Sequence, residues 1–420
     1  MNTSKALRVS RISNITQKVR REIFQQEESN VLGLDGLRGF ASCIVVFYHC
    51  ALFMGFYNRT GTDDNPDAWV ISFSNGFWTG IDIFFVLSGF LIGRLLLQSL
   101  HASNKLYYAA FIVRRSFRIF PAYYLVITVS LFIIAPLNVP AFNFLYMTTD
   151  WQELLNSSWA SYLYLINYVR PGNEPSILSW GWSLSVEEHF YLILPPILWL
   201  LFKSKSEKIK ILIILSLVAI PFFGRAVQYI LNPDIILLDG FYYYSHNRFD
   251  EIFVGVAIAY FYVIYKDELQ RLCEKAGNWL GTVGILGGAS VWIFGGLLVD
   301  NAFTIVFQFL VMALSTGLIL LNVLFIDNTL TRFFSHAFWY PLARISYGTY
   351  LLHIFVLFFS MQMYLDYYGD MQFNAVTLFA FYFAVMILTS ILAGIMFMVL
   401  ENPMLSIGSK VARKLKASRQ

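Results

Sequence analysis

Ten apolar segments of about 20 residues, joined by polar connections, dominate this 420-residue chain. They start near Gly36, Phe77, Ile119, Leu184, Ile209, Phe249, Trp279, Phe303, Ile345 and Phe373. A helix of that length crosses the hydrocarbon core of a bilayer, and it satisfies its own backbone hydrogen bonds where no water can. The expectation is an all-α fold: a polytopic membrane helix bundle of about ten transmembrane helices. Composition agrees, with 57% hydrophobic and 13% charged residues, against about 25% charged in a soluble domain. That balance excludes a soluble globular protein, a disordered chain and a secreted disulfide scaffold.

The loop charges give an orientation. Counting outward from a cytoplasmic N-terminus, the inner loops carry Arg94, Lys105, Arg114, Arg115 and Arg118, then Lys203, Lys205, Lys208 and Lys210. Lys266, Arg271, Lys275, Arg332 and Arg344 continue the pattern, and Lys410, Arg413, Lys414, Lys416 and Arg419 close it. The outer loops are mostly acidic, with Asp63, Asp64, Asp67, Asp150, Glu153, Asp234, Asp239, Asp300, Asp366 and Asp370. Only Arg59, Arg170 and Arg248 are basic there. This asymmetry predicts both termini in the cytoplasm. The expected layout is a cytoplasmic arm over residues 1–30, a membrane domain over 31–403 and a basic cytoplasmic tail over 404–420. The arm shows no cleavable signal pattern, because the first apolar run starts late and is long. The patch Trp159 to Val169 is read as interfacial or re-entrant, since a full span there would put the next lysine cluster outside.

The net charge of +4 does not indicate nucleic acid, because the basic residues punctuate apolar runs. Three cysteines make no framework. Cys43 and Cys50 are about 10 Å apart by helical rise, too far for a disulfide, and Cys273 reads as lying in a polar loop. All three are expected free. The histidines are scattered and no paired cysteine ligands occur, so no metal site is implied.

Charged groups inside a bilayer are costly and mark candidate sites. The first span reads LDGLRGFASCIVVFYHC. Asp35 and Arg38 are three apart and share a helical face. Arg38 and His49 are eleven apart, which puts them on one face about 16 Å from each other. Such a face could line a channel, or Arg38 could snorkel and His49 sit in the core. In GFWTGIDIFFVLSGFLIG, Asp82 needs a partner, either His49 or an arginine of another helix. Ser88, Gly89 and the flanking glycines suit close helix packing. RRSFRIFPAYY sets Arg114, Arg115 and Arg118 at the mouth of the third span, as topology anchors or as a phosphate clamp. Pro121 then falls in a first helical turn. WSLSVEEHFYLILPP sets Glu187 and Glu188 side by side at an outer helix end, where a helix dipole also favours acids. Arg248, Asp250 and Glu251 at the outer end of the sixth span read as an internal ion pair, His353 lies at mid-depth of the ninth, and Glu401 closes the tenth within reach of Arg38 or the Arg114 cluster. Trp180 and Trp182 belong to a long outer loop whose aromatics suit a sugar, a lipid headgroup or an interfacial belt.

Taken together, the segments 34–49, 80–92, 114–124 and 182–195 resemble the acyltransferase 3 family of integral membrane O-acyltransferases. Segments 248–259, 345–353 and 400–403 match more weakly, and all occur in the family's order. The resemblance implies acylation of an extracytoplasmic hydroxyl, with the acyl group drawn from cytoplasmic acyl-CoA. It assigns Arg38 and His49 to the family's Arg-to-His motif, Arg114, Arg115 and Arg118 to its arginine-rich segment, and Glu187 and Glu188 to its paired-acid segment. Some members carry a fused extracytoplasmic hydrolase-like domain. A chain ending soon after its tenth span is expected to deliver the acyl group directly.

These readings lead to one expectation. Acetyl-CoA docks its phosphates on Arg38, Arg114, Arg115 and Arg118. His49 serves as general base, oriented by Glu187, Glu188 or Asp82. An acyl-imidazole on His49 is the other route. Asp35, Arg248, Glu251, His353, Glu401, Trp180 and Trp182 form a substrate or structural polar network. The expected acceptor is a glycan or lipid-linked glycan such as lipopolysaccharide O-antigen or exopolysaccharide, in a bacterial inner membrane. A macrolide-like acceptor, a transporter using the same polar residues and an inactive scaffold are the competing readings. A transporter predicts inverted repeats or paired broken helices, and neither is clear. No nucleic-acid partner is expected, and a homo-oligomer is left open.

Overall fold

The computed structural model describes residues 17, 20–25, 32–57, 70, 73–103, 106–169, 175–295, 300–369 and 374–417. Most of the expected N-terminal arm lies outside them, as do Arg59, Asp63, Asp64, Asp67, Lys105, Arg170, Glu174, Asp370 and Phe373. Among the described residues the chain is helical with no strand. The main helices are α1 (Leu32–Tyr57), α2 (Gly80–Ser103), α3 (Tyr108–Val129), α4 (Trp151–Tyr162), α5 (Trp182–Lys203), α6 (Glu207–Leu231) and α7 (Ser245–Ile264). They continue with α8 (Lys266–Ala276), α9 (Trp279–Phe294), α10 (Gln308–Phe325), α11 (Trp339–Arg344), α12 (Ser346–Tyr368), α13 (Ala375–Met396) and α14 (Asn402–Ala417).

Eight helical segments among the described residues are long and apolar enough to cross a membrane. The other two expected spans are also helices. Helix α7 carries Arg248, Asp250 and Glu251 in its first two turns, and α9 has 16 residues. The chain is therefore a multi-pass membrane protein. Helices α1 and α2 lie inside the bundle, with about two thirds or more of their spanning windows buried, whereas α6 is at the periphery with 17% buried. Lipid-facing stripes follow the helical repeat: Phe383, Ile387, Ile391 and Ile395 on α13 are all more than half exposed, as four-residue spacing on one face requires.

The third span departs from expectation. Its helix starts at Tyr108 and runs without a break to Leu137, so Arg114, Arg115 and Arg118 stand two to three turns inside it and not in a loop. Their charge lowers local hydropathy and makes the helix start read as a connection, although two of them face internal cavities. Pro121 is accordingly a helix-interior proline, and its missing N–H leaves the carbonyl of Phe117 without the usual donor. The patch beginning at Trp159 belongs to α4 and to a short helical turn, Ile166–Val169. Both are too short to span. The hydroxyls of Tyr123 and Tyr124 on α3 donate to the carbonyls of Ser161 and Tyr162 at 3.0 and 3.2 Å, tying this segment to the bundle.

Helices α2 and α7 pack backbone to backbone. A Cβ on Gly89 would lie 1.9 Å from the Ile252 carbonyl oxygen, and one on Gly255 would lie 2.0 Å from that of Val86. Small residues permit such contact between backbones in a membrane. The crossing also sets the neighbours seven residues upstream on each helix, Asp82 and Arg248, against each other.

The three cysteines are free. Cys273 is buried in α8 and not in a loop. Burial pushes its thiol above the ordinary value, and the nearby Glu274 adds to the shift, so the group is a poor nucleophile at neutral pH.

Candidate active site

A cavity of about 310 Å³ lies between α1, α2, α3, α5 and α12. Its apolar wall is the face of α2 presenting Ile81, Phe84, Phe85, Leu87, Leu91 and Leu95. Facing that wall are Arg38 of α1, Arg115 and Arg118 of α3, and Glu187 and Tyr191 of α5. Arg115 and Arg118 are three apart, which brings both to one side of α3. A second cavity of about 210 Å³ shares Arg38, Leu91 and Arg118 with the first, and it adds Asp35, Tyr340, Arg344 and Glu401. Arg114 lines neither cavity.

The three arginines are unusual in what they lack. Arg225 and Arg248 elsewhere in the bundle bind carboxylates directly. Arg38, Arg115 and Arg118 form no ion pair or hydrogen bond with any described residue, and Arg115 only stacks near Tyr191 and Phe111, at 5.4 and 5.9 Å from the ring centres. Three guanidiniums held by the protein with their donors unused are the donor set that an anion requires. Glu187 is the acid among them. The Tyr191 hydroxyl donates to its Oε2 at 2.6 Å, and the Ser88 hydroxyl lies 3.2 Å from the Tyr191 oxygen. Glu188 points elsewhere, and its buried Oε1 has no partner among the described residues. Glu401, expected to pair with an arginine, shares the second cavity with Arg38 and Arg118, and its buried Oε1 has no hydrogen-bond partner there.

His49 stands outside both cavities, so the expected continuous Arg38–His49 channel is not lined as one space. It is half-buried on α1 and faces α12. Its Nδ1 lies 2.9 Å from the Val45 carbonyl oxygen and 3.2 Å from Nε2 of His353. His353 Nδ1 lies 2.7 Å from the Tyr350 carbonyl and 3.1 Å from that of Thr349. Tyr350 joins the two regions. Its ring lines the larger cavity, its hydroxyl donates to the Trp180 carbonyl, and Ser183 Oγ approaches that hydroxyl at 2.6 Å.

The expected orienting acids do not reach His49. Asp82 is bound by Arg248, which also binds Glu251 at 3.0 Å and donates to the Tyr242 carbonyl at 2.9 Å. Beside them Arg225 pairs with Asp250 at 2.6 Å. All five side chains are fully buried. Arg248 thus forms a triad with Glu251 and with Asp82 of α2, while Asp250 is taken by Arg225. Trp180 and Trp182 are buried too, Trp180 against Phe355 and Trp182 against Arg248. They are core residues and not a sugar-binding surface. Among the described residues no three metal-ligating side chains come together.

Sequence reasoning gave His353 no partner and passed over Tyr191 and Tyr350. The Ser-Tyr-Gly-Thr-Tyr run before His353 was a legible signal for Tyr350, but its partners sit on α5 and in the loop before it, far off in sequence.

Comparison with known proteins covers most of the chain. A family profile described as "Acyltransferase domain" matches residues 31–395. The peptidoglycan O-acetyltransferase OatA of Listeria monocytogenes is 28% identical over 61% of this chain and 38% of its own length. The putative peptidoglycan O-acetyltransferase YrhL of Bacillus subtilis is 28% identical over 60% of this chain and 36% of its own. The putative O-acetyltransferase SACOL0978 of Staphylococcus aureus is 25% identical, over 90% of this chain and 58% of its own. The chain therefore spans less than two thirds of these relatives. No solved structure matches it.

Proposed function

The chain belongs to the acyltransferase 3 family of membrane O-acyltransferases, and on that premise we propose that it moves an acetyl group from cytoplasmic acetyl-CoA to a hydroxyl of an extracytoplasmic polysaccharide, at a bacterial inner membrane. The observation that carries this reading is the larger cavity, with three unpartnered guanidiniums at one side and an apolar wall along α2. Coenzyme A has the same division, with phosphates at one end and a flexible arm carrying the thioester at the other. A volume of about 310 Å³ suits the arm and its acyl group, being at the low end of the range for small-molecule sites.

Arg38, Arg115 and Arg118 hold the donor phosphates. His49 Nε2 takes the proton of the acceptor hydroxyl as that oxygen attacks the thioester carbon. The C–S bond then breaks and the proton passes to the departing thiolate, so His49 ends the cycle as it began. Tyr350 lines the cavity and its ring centre lies 5.8 Å from that of His353, and in this reading the thioester reaches His49 past that ring. The acceptor is a surface glycan. Lipopolysaccharide O-antigen and exopolysaccharide fit the outward-facing chemistry, and the names of the relatives add peptidoglycan.

The test is release of CoA thiol from acetyl-CoA by the purified protein in nanodiscs, with and without envelope glycan. Glycan-stimulated release that disappears in His49→Ala supports the reading. Failure of the wild type to bind acetyl-CoA at all sinks it.

A further inference from the structure

We infer that His353 is a positioning residue for His49: it accepts the Nδ1 proton of the His49 ring and leaves His49 Nε2 as the bare, basic nitrogen. The inference rests on the transferase reading above, but its hydrogen-bond logic is independent of it. A backbone carbonyl only accepts. His353 Nδ1, at 2.7 Å from the Tyr350 carbonyl, therefore carries a proton. A neutral ring carries one, so His353 Nε2 is a lone pair. It lies 3.2 Å from His49 Nδ1, which must itself carry a proton because it also meets the Val45 carbonyl at 2.9 Å. His49 Nε2 is left without a proton and without a hydrogen bond to any described residue.

Val45 alone is a weak holder. Its carbonyl already belongs to the ladder of α1, where the backbone N–H of His49 is its normal donor. The lone pair of His353 Nε2 has no other donor among the described residues. When His49 takes a proton at Nε2, its Nδ1–H becomes a charge-assisted donor and the bond to His353 strengthens. His353 then does for His49 what a carboxylate does in a Ser-His-Asp triad, holding the tautomer and steadying the imidazolium. Among the described residues, the rings of Tyr48 and Phe53 on α1 and of Tyr350 on α12 lie against the pair. No carboxylate or guanidinium among the described residues pairs with either imidazole, which leaves His353 as the side-chain acceptor for this task.

The experiment has two arms, on the full-length protein in nanodiscs. In the first, ¹⁵N-histidine labelling reports the tautomer of each of the six histidines, and His49 and His353 are assigned by substitution. Both rings are expected as Nδ1–H. A proton on His353 Nε2 overturns the inference whatever the enzyme turns over. In the second arm, His353→Leu keeps the volume and removes the acceptor, whereas His353→Gln keeps an acceptor near the same place. His353→Leu is expected to lose at least about tenfold in kcat, a part of what general-base catalysis contributes, with KM for acetyl-CoA unchanged. His353→Gln is expected to recover most of the loss. Equal losses in both variants, or a loss expressed in KM, mean that His353 only packs. A wild type without turnover sinks the transferase reading instead, and the labelling arm still decides the hydrogen bond.

Discussion

Replacing Arg115 by alanine separates a donor site from a structural charge. The guanidinium lines the larger cavity, stacks near Tyr191 and Phe111 at 5.4 and 5.9 Å, and makes no ion pair or hydrogen bond with any described residue. Removing it forfeits cation–π contact of about 0.5–1 kcal/mol in an exposed setting and somewhat more in a dry one, and the nearby Glu187 keeps its hydrogen bond from Tyr191 and the neighbouring charges of Arg38 and Arg118. The fold is therefore expected to survive. Binding is expected to suffer more. One hydrogen bond to a charged group is worth about 1.5–3 kcal/mol, and about 1.4 kcal/mol is tenfold. Arg115→Ala should therefore weaken acetyl-CoA binding roughly 10- to 150-fold. Calorimetric titration of the nanodisc protein gives the affinity, and initial rates give KM. Acetyl-pantetheine supplies the control, because it carries the thioester without the nucleotide phosphates. Its KM should change little. Equal weakening for both donors, or an unchanged affinity for acetyl-CoA alongside a collapse in melting temperature, would refute phosphate recognition by this residue.

Three further outcomes follow from the packing. Gly255→Ala sets a methyl against the Val86 backbone at 2.0 Å, which no side-chain rotation relieves, so melting temperature should fall by the equivalent of about 1–3 kcal/mol or more; an unchanged melting curve would contradict the α2–α7 crossing. Arg248→Met strands the carboxyls of Asp82 and Glu251 in the bundle and should cost about 3–5 kcal/mol, read as loss of monodisperse protein on size exclusion, and recovered in part by adding Asp82→Asn and Glu251→Gln. At the surface, hydrogen bonds from Arg332 hold the Asp327 carboxyl below its ordinary range. Its stabilisation is thus present above the ordinary carboxylate range and lost as pH falls through the lowered value. Both groups are exposed, so Arg332→Gln should return Asp327 toward ordinary titration by NMR and leave the melting temperature at pH 7 unchanged within error.

The helices were legible because bilayer length and helical repeat both write themselves into one dimension. The Gly89 contact was legible for the same reason, since a small residue in an apolar run has few other uses. Arg38 lines both cavities, an inward-facing position that its place in the first span made legible. The start of α3 was hidden because charges facing an internal cavity look, in sequence, like charges facing water. The fate of Asp82 was undecided in sequence because its partner is Arg248, 166 residues away. The His49–His353 pair spans 304 residues, and periodicity says nothing about which faces of different helices meet. Trp180 and Trp182 misled in the opposite way: aromatics in a connection suggest a belt, yet these two fill the core around Phe355 and Arg248.

In the proposed reaction an acetyl group passes from a donor bound on one side of the membrane to an acceptor on the other. The most direct measurement of this passage uses proteoliposomes with glycan fragments sealed in the lumen and [¹⁴C]acetyl-CoA added outside. Label is expected on the enclosed glycan, with none in vesicles carrying His49→Ala and little in those carrying Arg115→Ala. Label confined to glycan added on the same side as the donor, or label on the enclosed glycan that persists in His49→Ala, would contradict it.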